Sequence, residues 1–223
     1  MQFINSENIW AGERRDFRDY DFEDLSDGEW WEKFKKGDKN AFDYIYYTYR
    51  QQLYNYGCHL CGDEELVRDC IHDLFTTLIK SKTRLGKTDS IRFYLLKAFK
   101  RKLVKSLQKQ NNTKQRESIF SNENFRIRID EESVSLDSTI SKEVKALIQQ
   151  AINKLPASQR EAVILFYYEG LSYREIKDLM NLRNIKSART LIYRAIASLT
   201  KKLKPVSKGL IQPIVLLLQQ FLF

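Results

Sequence analysis

Apolar and polar positions alternate along this chain with a helical period, broken in two places. A short helix from Trp30 ends near Gly37, and Asp38 or Asn40 is placed to cap a second helix running to about Leu60. In that helix Phe42, Ile45, Tyr46, Tyr49, Leu53, Tyr56 and Leu60 recur at three- and four-residue spacing, which predicts a core-facing stripe. Asp63, followed by Glu64 and Glu65, suits the positive end of a third helix. Its Leu66, Cys70, Leu74 and Leu78 lie opposite Glu65, Arg68, Asp69, His72 and Asp73. A loop from Lys80 to Ser90 leads to a fourth helix from about Ile91 to Lys109. Residues 110 to about 138 carry no sustained period and predict a linker.

Periodicity resumes at Ser141. Val144, Leu147, Ile148, Ala151 and Leu155 form one stripe of a helix ending near Lys154. Pro156 marks the next helix start, and Ser158 with Glu161 three residues on has capping-box spacing. That helix runs from about Ala157 through Ile164, Leu165 and Tyr168 to Gly170, where a left-handed residue is expected to stop it. Ser172 and Glu175 repeat the box before a short helix from Tyr173 to about Met180. After a break at Leu182 to Ile185, the last helix, from about Lys186 to Leu203, puts Ala188, Leu191, Ile192, Ala195, Leu199 and Leu203 on one stripe. Lys186, Ser187, Arg189, Thr190, Tyr193 and Arg194 are left near the start or on the outer face. A short helix, a tight turn and a basic second helix describe a helix-turn-helix. The same pattern also fits a plain three-helix bundle with a solvated basic face.

The expected fold is therefore all-α, with two small helical domains joined by a flexible linker. The divisions are an acidic flexible arm over 1–28, a helical domain over 29–109, the linker over 110–139, the helix-turn-helix domain over 140–205 and an apolar tail over 206–223. The arm holds isolated aromatics without a helical period. The tail, Ile211 to Phe223, is too short and too interrupted by glutamine to span a bilayer, which needs about 20 apolar residues.

Charge sharpens this outline. The net charge of +9 points to a polyanionic partner. The excess is segmental: ten acidic and three basic residues fall within the first 32, and no carboxylate follows Asp178. Lys97, Lys100, Arg101, Lys102, Lys105 and Lys109 crowd the fourth helix, with Phe93, Tyr94 and Phe99 interleaved. Cations that track phosphate beside rings that stack on bases suit a partly single-stranded nucleic acid, although some of these rings are expected in the core. An exposed acidic stripe on the third helix of a basic chain needs a basic protein surface instead.

Three cysteines and a start without a basic, apolar leader predict a reducing, cytoplasmic setting. Cys58 and Cys61 have CxxC spacing, but Cys70 and His72 sit roughly 200° apart on one helix and cannot share a metal. Buried thiols are the expectation. No phosphate loop or nucleophile elbow occurs, so no enzyme, cofactor, metal or small-molecule substrate is expected.

The whole arrangement resembles a group-four, extracytoplasmic-function (ECF) sigma factor of the sigma-70 family, over about residues 30 to 205. EELVRDCIHDLF, Glu64 to Phe75, is similar to the helix with which that family binds the polymerase clamp. RFYLLKAFKRKLVKSLQKQ, Arg92 to Gln110, is similar to its helix for the −10 element. INKLPASQREAVILFYYEGLSYREI and SARTLIYRA are similar to its helix-turn-helix for the upstream element. The chain has Arg68 and Ile71 where the family usually has Gln and an aromatic, and Arg101 where Asn is common. The resemblance implies core RNA polymerase and promoter DNA as partners, with room for an anti-sigma factor. It places Glu65, Arg68, Asp69, His72 and Asp73 against the polymerase. It places Tyr94, Lys97, Lys100, Arg101 and Lys105 on an opened strand, with an unstacked base in the loop from Lys82 to Asp89, and Lys186, Ser187, Arg189, Thr190, Tyr193 and Arg194 on the upstream duplex. The rival readings are an autonomous helix-turn-helix regulator and a decoy that occupies the clamp without starting transcription.

Overall fold

In the computed structural model the described residues are 25–110 and 142–203, and every element in them is helical. The first half contains α1 (Asp27–Lys35), α2 (Lys39–Leu60), α3 (Glu64–Ser81), a 3₁₀ turn (Lys82–Arg84) and α4 (Ile91–Gln110). The second contains α5 (Lys142–Asn153), α6 (Ala157–Val163), a π turn (Ile164–Tyr168), α7 (Tyr173–Leu179) and α8 (Ile185–Leu203). The expected all-α fold is what the chain adopts. Among the described residues no helix is long and apolar enough to cross a membrane. The apolar tail, most of the acidic arm and nearly all of the expected linker lie outside the described residues.

Local chemistry sets most helix starts. Ser26 and Glu29 form a reciprocal capping box, so α1 begins three residues before Trp30, where the apolar pattern starts. Asp38 accepts from the backbone N–H of Asn40 and Ala41 to cap α2, and Asp63 accepts from Leu66 to cap α3. Asp27 works at longer range. One of its carboxylate oxygens accepts from the Ile91 backbone N–H at 2.8 Å and the other from the Tyr49 hydroxyl at 3.2 Å. The start of α1 thereby satisfies an orphan donor at the start of α4 and is tied to α2.

The first core lies among α1 to α4. Trp31, Phe34, Ile45, Leu53, Tyr56, Leu60, Ile71, Ile91, Leu95 and Phe99 are all under 2% exposed or at that limit, each stabilising by roughly 1.5–3 kcal/mol on burial. The stripe expected on α2 is buried at Ile45, Tyr49, Leu53, Tyr56 and Leu60, with Phe42 and Tyr46 packed half-buried at its edge. Gly57 lets α2 approach its neighbours. A Cβ there would sit 2.7 Å from Val67 Cγ1 and 2.8 Å from the Phe99 ring. Gly57→Ala is therefore expected to lower stability by about 1–3 kcal/mol despite the better helix propensity of alanine, as a reduced midpoint in urea unfolding.

In the second half α8 is the spine, packed on by α5, α6 and α7. Its Ala188, Ile192, Ala195, Ile196 and Leu199 are buried, with Leu191 and Leu203 at the margin. Ser172 and Glu175 form the expected box at the start of α7. Ser158 and Glu161 do not form one: α6 is entered through Pro156 with no side-chain cap. Glu161 turns inward instead, 6% exposed, for reasons that lie in the other half of the chain. The expected single helix to Gly170 is also divided. Its last turn widens to a π turn, with the Glu169 N–H donating to the Ile164 carbonyl at 3.0 Å. One added residue rotates everything beyond it by about 100°. Gly170 then adopts φ +57 and stops the helix.

Candidate nucleic-acid interface

Four surfaces bear on function, and each is set by the helix that carries it. On α3 the acidic face stands clear of the core: Glu65, Asp69, His72 and Asp73 are exposed, while Val67, Cys70, Ile71, Leu74 and Phe75 are buried behind them. Asp73 is paired with Lys102 of α4 at 3.2 Å and keeps its side chain 67% exposed, so the pair adds little stability and leaves the charge available. Arg68 behaves differently from its neighbours. Its guanidinium donates to Glu64 at 3.1 Å and to the Tyr54 hydroxyl at 3.0 Å, and lies over the Tyr54 ring. It belongs to a local network on the flank of the acidic face.

Cys61 and Cys70 are buried and Cys58 is half-buried, all as free thiols. Burial pushes the Cys61 thiol up to about 11 and raises that of Cys70 as well.

On α4 the apolar stripe Ile91, Leu95, Leu96, Phe99 and Leu103 is buried, so the cations emerge on the other side. Arg101 and Lys105 are exposed and Lys97 is half-exposed. The Lys97 ammonium sits 5.6 Å from the centre of the Phe93 ring, a cation–π contact at the surface. Phe99 is core. Tyr94 is half-buried, its ring tilted against Trp31 at 4.7 Å, and burial raises its hydroxyl above the usual phenol value. Tyr94 therefore keeps only part of its surface exposed.

The loop before α4 is pinned from beneath. The Trp31 indole N–H donates to the Gly86 carbonyl at 2.8 Å, and Thr88 accepts from the Ser90 N–H. A core side chain thus fixes the middle of the segment Lys82 to Asp89.

On α8, Asn181 takes φ 53 at the end of α7, and the Leu182 N–H returns to the Lys177 carbonyl at 2.8 Å. Asn184 then caps α8, its side chain accepting from the Ser187 N–H and hydroxyl at 2.8 and 3.0 Å. Periodicity gave no sign of this cap. Ser187 is half-buried within it, and the Thr190 hydroxyl is spent on the Lys186 carbonyl at 2.8 Å. Lys186, Arg189, Tyr193 and Arg194 remain exposed, Tyr193 by 66%. Arg189 rests over the Tyr173 ring of α7 at 5.2 Å, which holds the guanidinium beside the start of α8.

Lys100 does not join the other cations of α4. Its ammonium donates to Glu161 at 2.6 Å and to the Leu179 carbonyl at 3.2 Å, both in the second half of the chain. Tyr56 of α2 also donates to Glu161, at 3.2 Å, and Arg92 donates to the Gly170 carbonyl at 3.2 Å. Glu161, Tyr56 and Glu169 sit at this junction; local pattern places Tyr56 in the α2 stripe and Glu161 in a box that does not form, and points to none of their partners here, which are far away in sequence. Beside it Lys97, Lys100, Arg101 and Lys105 face Asp178 and Asn181 across a cleft of about 220 Å³.

Residues 145–199 match the family "Sigma-70, region 4". The chain is similar to the RNA polymerase sigma-H factor of Pseudomonas aeruginosa, with 26% identity over 186 residues covering 78% of this chain and 92% of the relative. It is also similar to the ECF RNA polymerase sigma factor SigK of a Mycobacterium species, with 26% identity over 153 residues covering 67% of this chain and 78% of the relative. In fold it resembles CnrH, solved in complex with the cytosolic domain of CnrY, at TM-score 0.55 and 18% identity over 81% of this chain and 99% of the other. A second likeness, at TM-score 0.53 and 19% identity over 74% and 98%, is to the sigma factor RpoE from Bartonella quintana, solved with the anti-sigma factor NepR. The region 4 match and the two sequence relatives support a sigma factor of the sigma-70 family, and the two solved structures share the fold.

Proposed function

We propose that this chain is an ECF-type sigma factor that docks on core RNA polymerase through α3 and directs promoter recognition and opening through α4 and α8. The observation that carries the reading is the pairing of two opposed surfaces in one chain, the acidic face of α3 and the basic faces of α4 and α8. An autonomous regulator has no use for the first, and a decoy has no use for the second.

Glu65, Asp69, His72 and Asp73 meet the basic clamp surface, with Arg68 organising their flank through Glu64 and Tyr54. Charges of this kind steer the encounter and fix register. Lys97, Arg101 and Lys105, joined by Lys100 once it leaves Glu161, hold the opened strand. Tyr94 and the loop from Lys82 to Asp89 receive the unstacked base, whose unstacking costs a few kcal/mol. The upstream duplex lies on α8, where Lys186, Arg189 and Arg194 contact phosphates or base edges, Tyr193 supplies an apolar contact, and Ser187 and Thr190 line the first turns. An anti-sigma factor is the natural regulator for such a chain.

Changing Lys97, Arg101 and Lys105 together to alanine is expected to weaken single-strand binding and to lower the slope of log affinity against log salt by about 2, since each lost phosphate contact removes roughly 0.7. Fluorescence anisotropy over a salt series reads this. Co-elution of the full chain with core RNA polymerase in gel filtration tests the function itself. Co-elution supports the reading; failure to co-elute, together with tight duplex binding by the chain alone, would mean an autonomous regulator.

A further inference from the structure

The junction between the two halves is polar where it is most buried. The buried polar or charged residues among those described are His59, Arg160, Glu161 and Glu169, and all but Arg160, which bonds the Leu155 carbonyl in its own half, face across the junction. Glu161 is held through its Oε1 by both Lys100 and Tyr56. Glu169 is 3% exposed, and its Oε2 has no hydrogen-bond partner. We propose that Glu169 is a proton-dependent latch, whose protonated carboxyl keeps the two halves docked with Lys100 withheld from nucleic acid, and whose charged carboxylate lets them separate. What separation achieves rests on the functional reading above; the latch itself does not.

A carboxylate with an unmatched oxygen in a buried site is strongly disfavoured, whereas the neutral acid is tolerated there. Burial accordingly pushes Glu169 up to about 7, against a hydrogen bond from Gln52 of α2 and the charge of Arg92 of α4, both of which favour the carboxylate. When the halves separate, the carboxyl meets water and returns towards its ordinary value of 4.5. The docked form therefore holds the proton more tightly. Docking is at its strongest below about pH 4.5, weakens as pH rises towards 7, and levels off beyond it.

Other titratable groups line the same junction. Tyr56 of α2 gives its hydroxyl to Glu161 and is held well above the phenol range by burial. Arg92 of α4 donates to the Gly170 carbonyl. Lys100 and Glu161 form an ion pair with little exposure. His59 of α2 lies against the Tyr168 ring at 6.2 Å.

Small-angle scattering of the full chain at fixed ionic strength, from pH 5 to pH 8.5, tests the latch. The radius of gyration is expected to rise with pH between about 5 and 7 and to level off above 7, with the docking equilibrium changing on the order of fifty- to a hundredfold over the range. Glu169→Gln, neutral at every pH and the same shape, should stay compact throughout, while Glu161→Ala should be open throughout. Far-UV circular dichroism verifies that both variants keep their helices. A pH-independent radius in the unaltered chain, or an unchanged transition in Glu169→Gln, overturns the proposal. Scattering needs neither polymerase nor promoter, so a chain that opens with pH yet never binds core polymerase would refute the functional reading and leave the latch standing.

Discussion

Reversing Asp69 and Asp73 of α3 to lysine is expected to abolish binding to core RNA polymerase while leaving the fold intact. Both side chains are exposed and neither supports the core. Asp73 loses its surface pair with Lys102, which amounts to at most about 1 kcal/mol. Against the basic clamp surface the change is larger, because two attractions become two repulsions. Like-charge juxtaposition costs several kcal/mol, so affinity should fall on the order of a thousandfold. Titration of core polymerase with labelled protein reads this, with thermal unfolding as the control. An affinity within threefold of the unaltered chain would remove α3 from the interface.

Trp31→Ala is the change expected to cost the most stability. Trp31 is fully buried among α1, α2 and α4 and packs on both Phe34 and Tyr94. Its truncation leaves a cavity and should destabilise the first half by about 3–5 kcal/mol. The consequence for function is separable from this loss. Trp31 also holds the Gly86 carbonyl, so Trp31→Phe keeps most of the packing and removes only the bond, at about 1 kcal/mol. That variant should bind core polymerase normally yet open promoters poorly, because the loop proposed to receive the unstacked base loses its anchor. Equal loss in both steps would show that the indole has only a packing role.

What could be foreseen from sequence was whatever is local. Asp38, Asp63 and the Ser172–Glu175 box cap the helices expected of them, because donor and acceptor lie within three residues. Gly170 takes the left-handed conformation expected of it. The exposed acidic face of α3 and the buried stripes of α2 and α8 follow from period alone. The Ser158–Glu161 pair had the same spacing as a box and was misleading. Glu161 instead answers Tyr56 and Lys100, 105 and 61 residues away. The Ser26–Glu29 box was hidden by the acidic, aromatic residues around it, which looked like an arm. Lys100 was expected beside the other cations of α4, yet the structure pairs it with the second half. Long-range polar partners leave no periodic trace, and for that reason the junction and its carboxyls were found only in three dimensions.

The most direct measurement is run-off transcription on genomic fragments by core RNA polymerase supplied with this chain and no other initiation factor. Discrete transcripts that depend on the chain, and vanish with Asp69→Lys/Asp73→Lys, are the predicted result. Transcription indistinguishable from core enzyme alone, across fragments covering the genome and with the chain shown to be folded, would contradict the account.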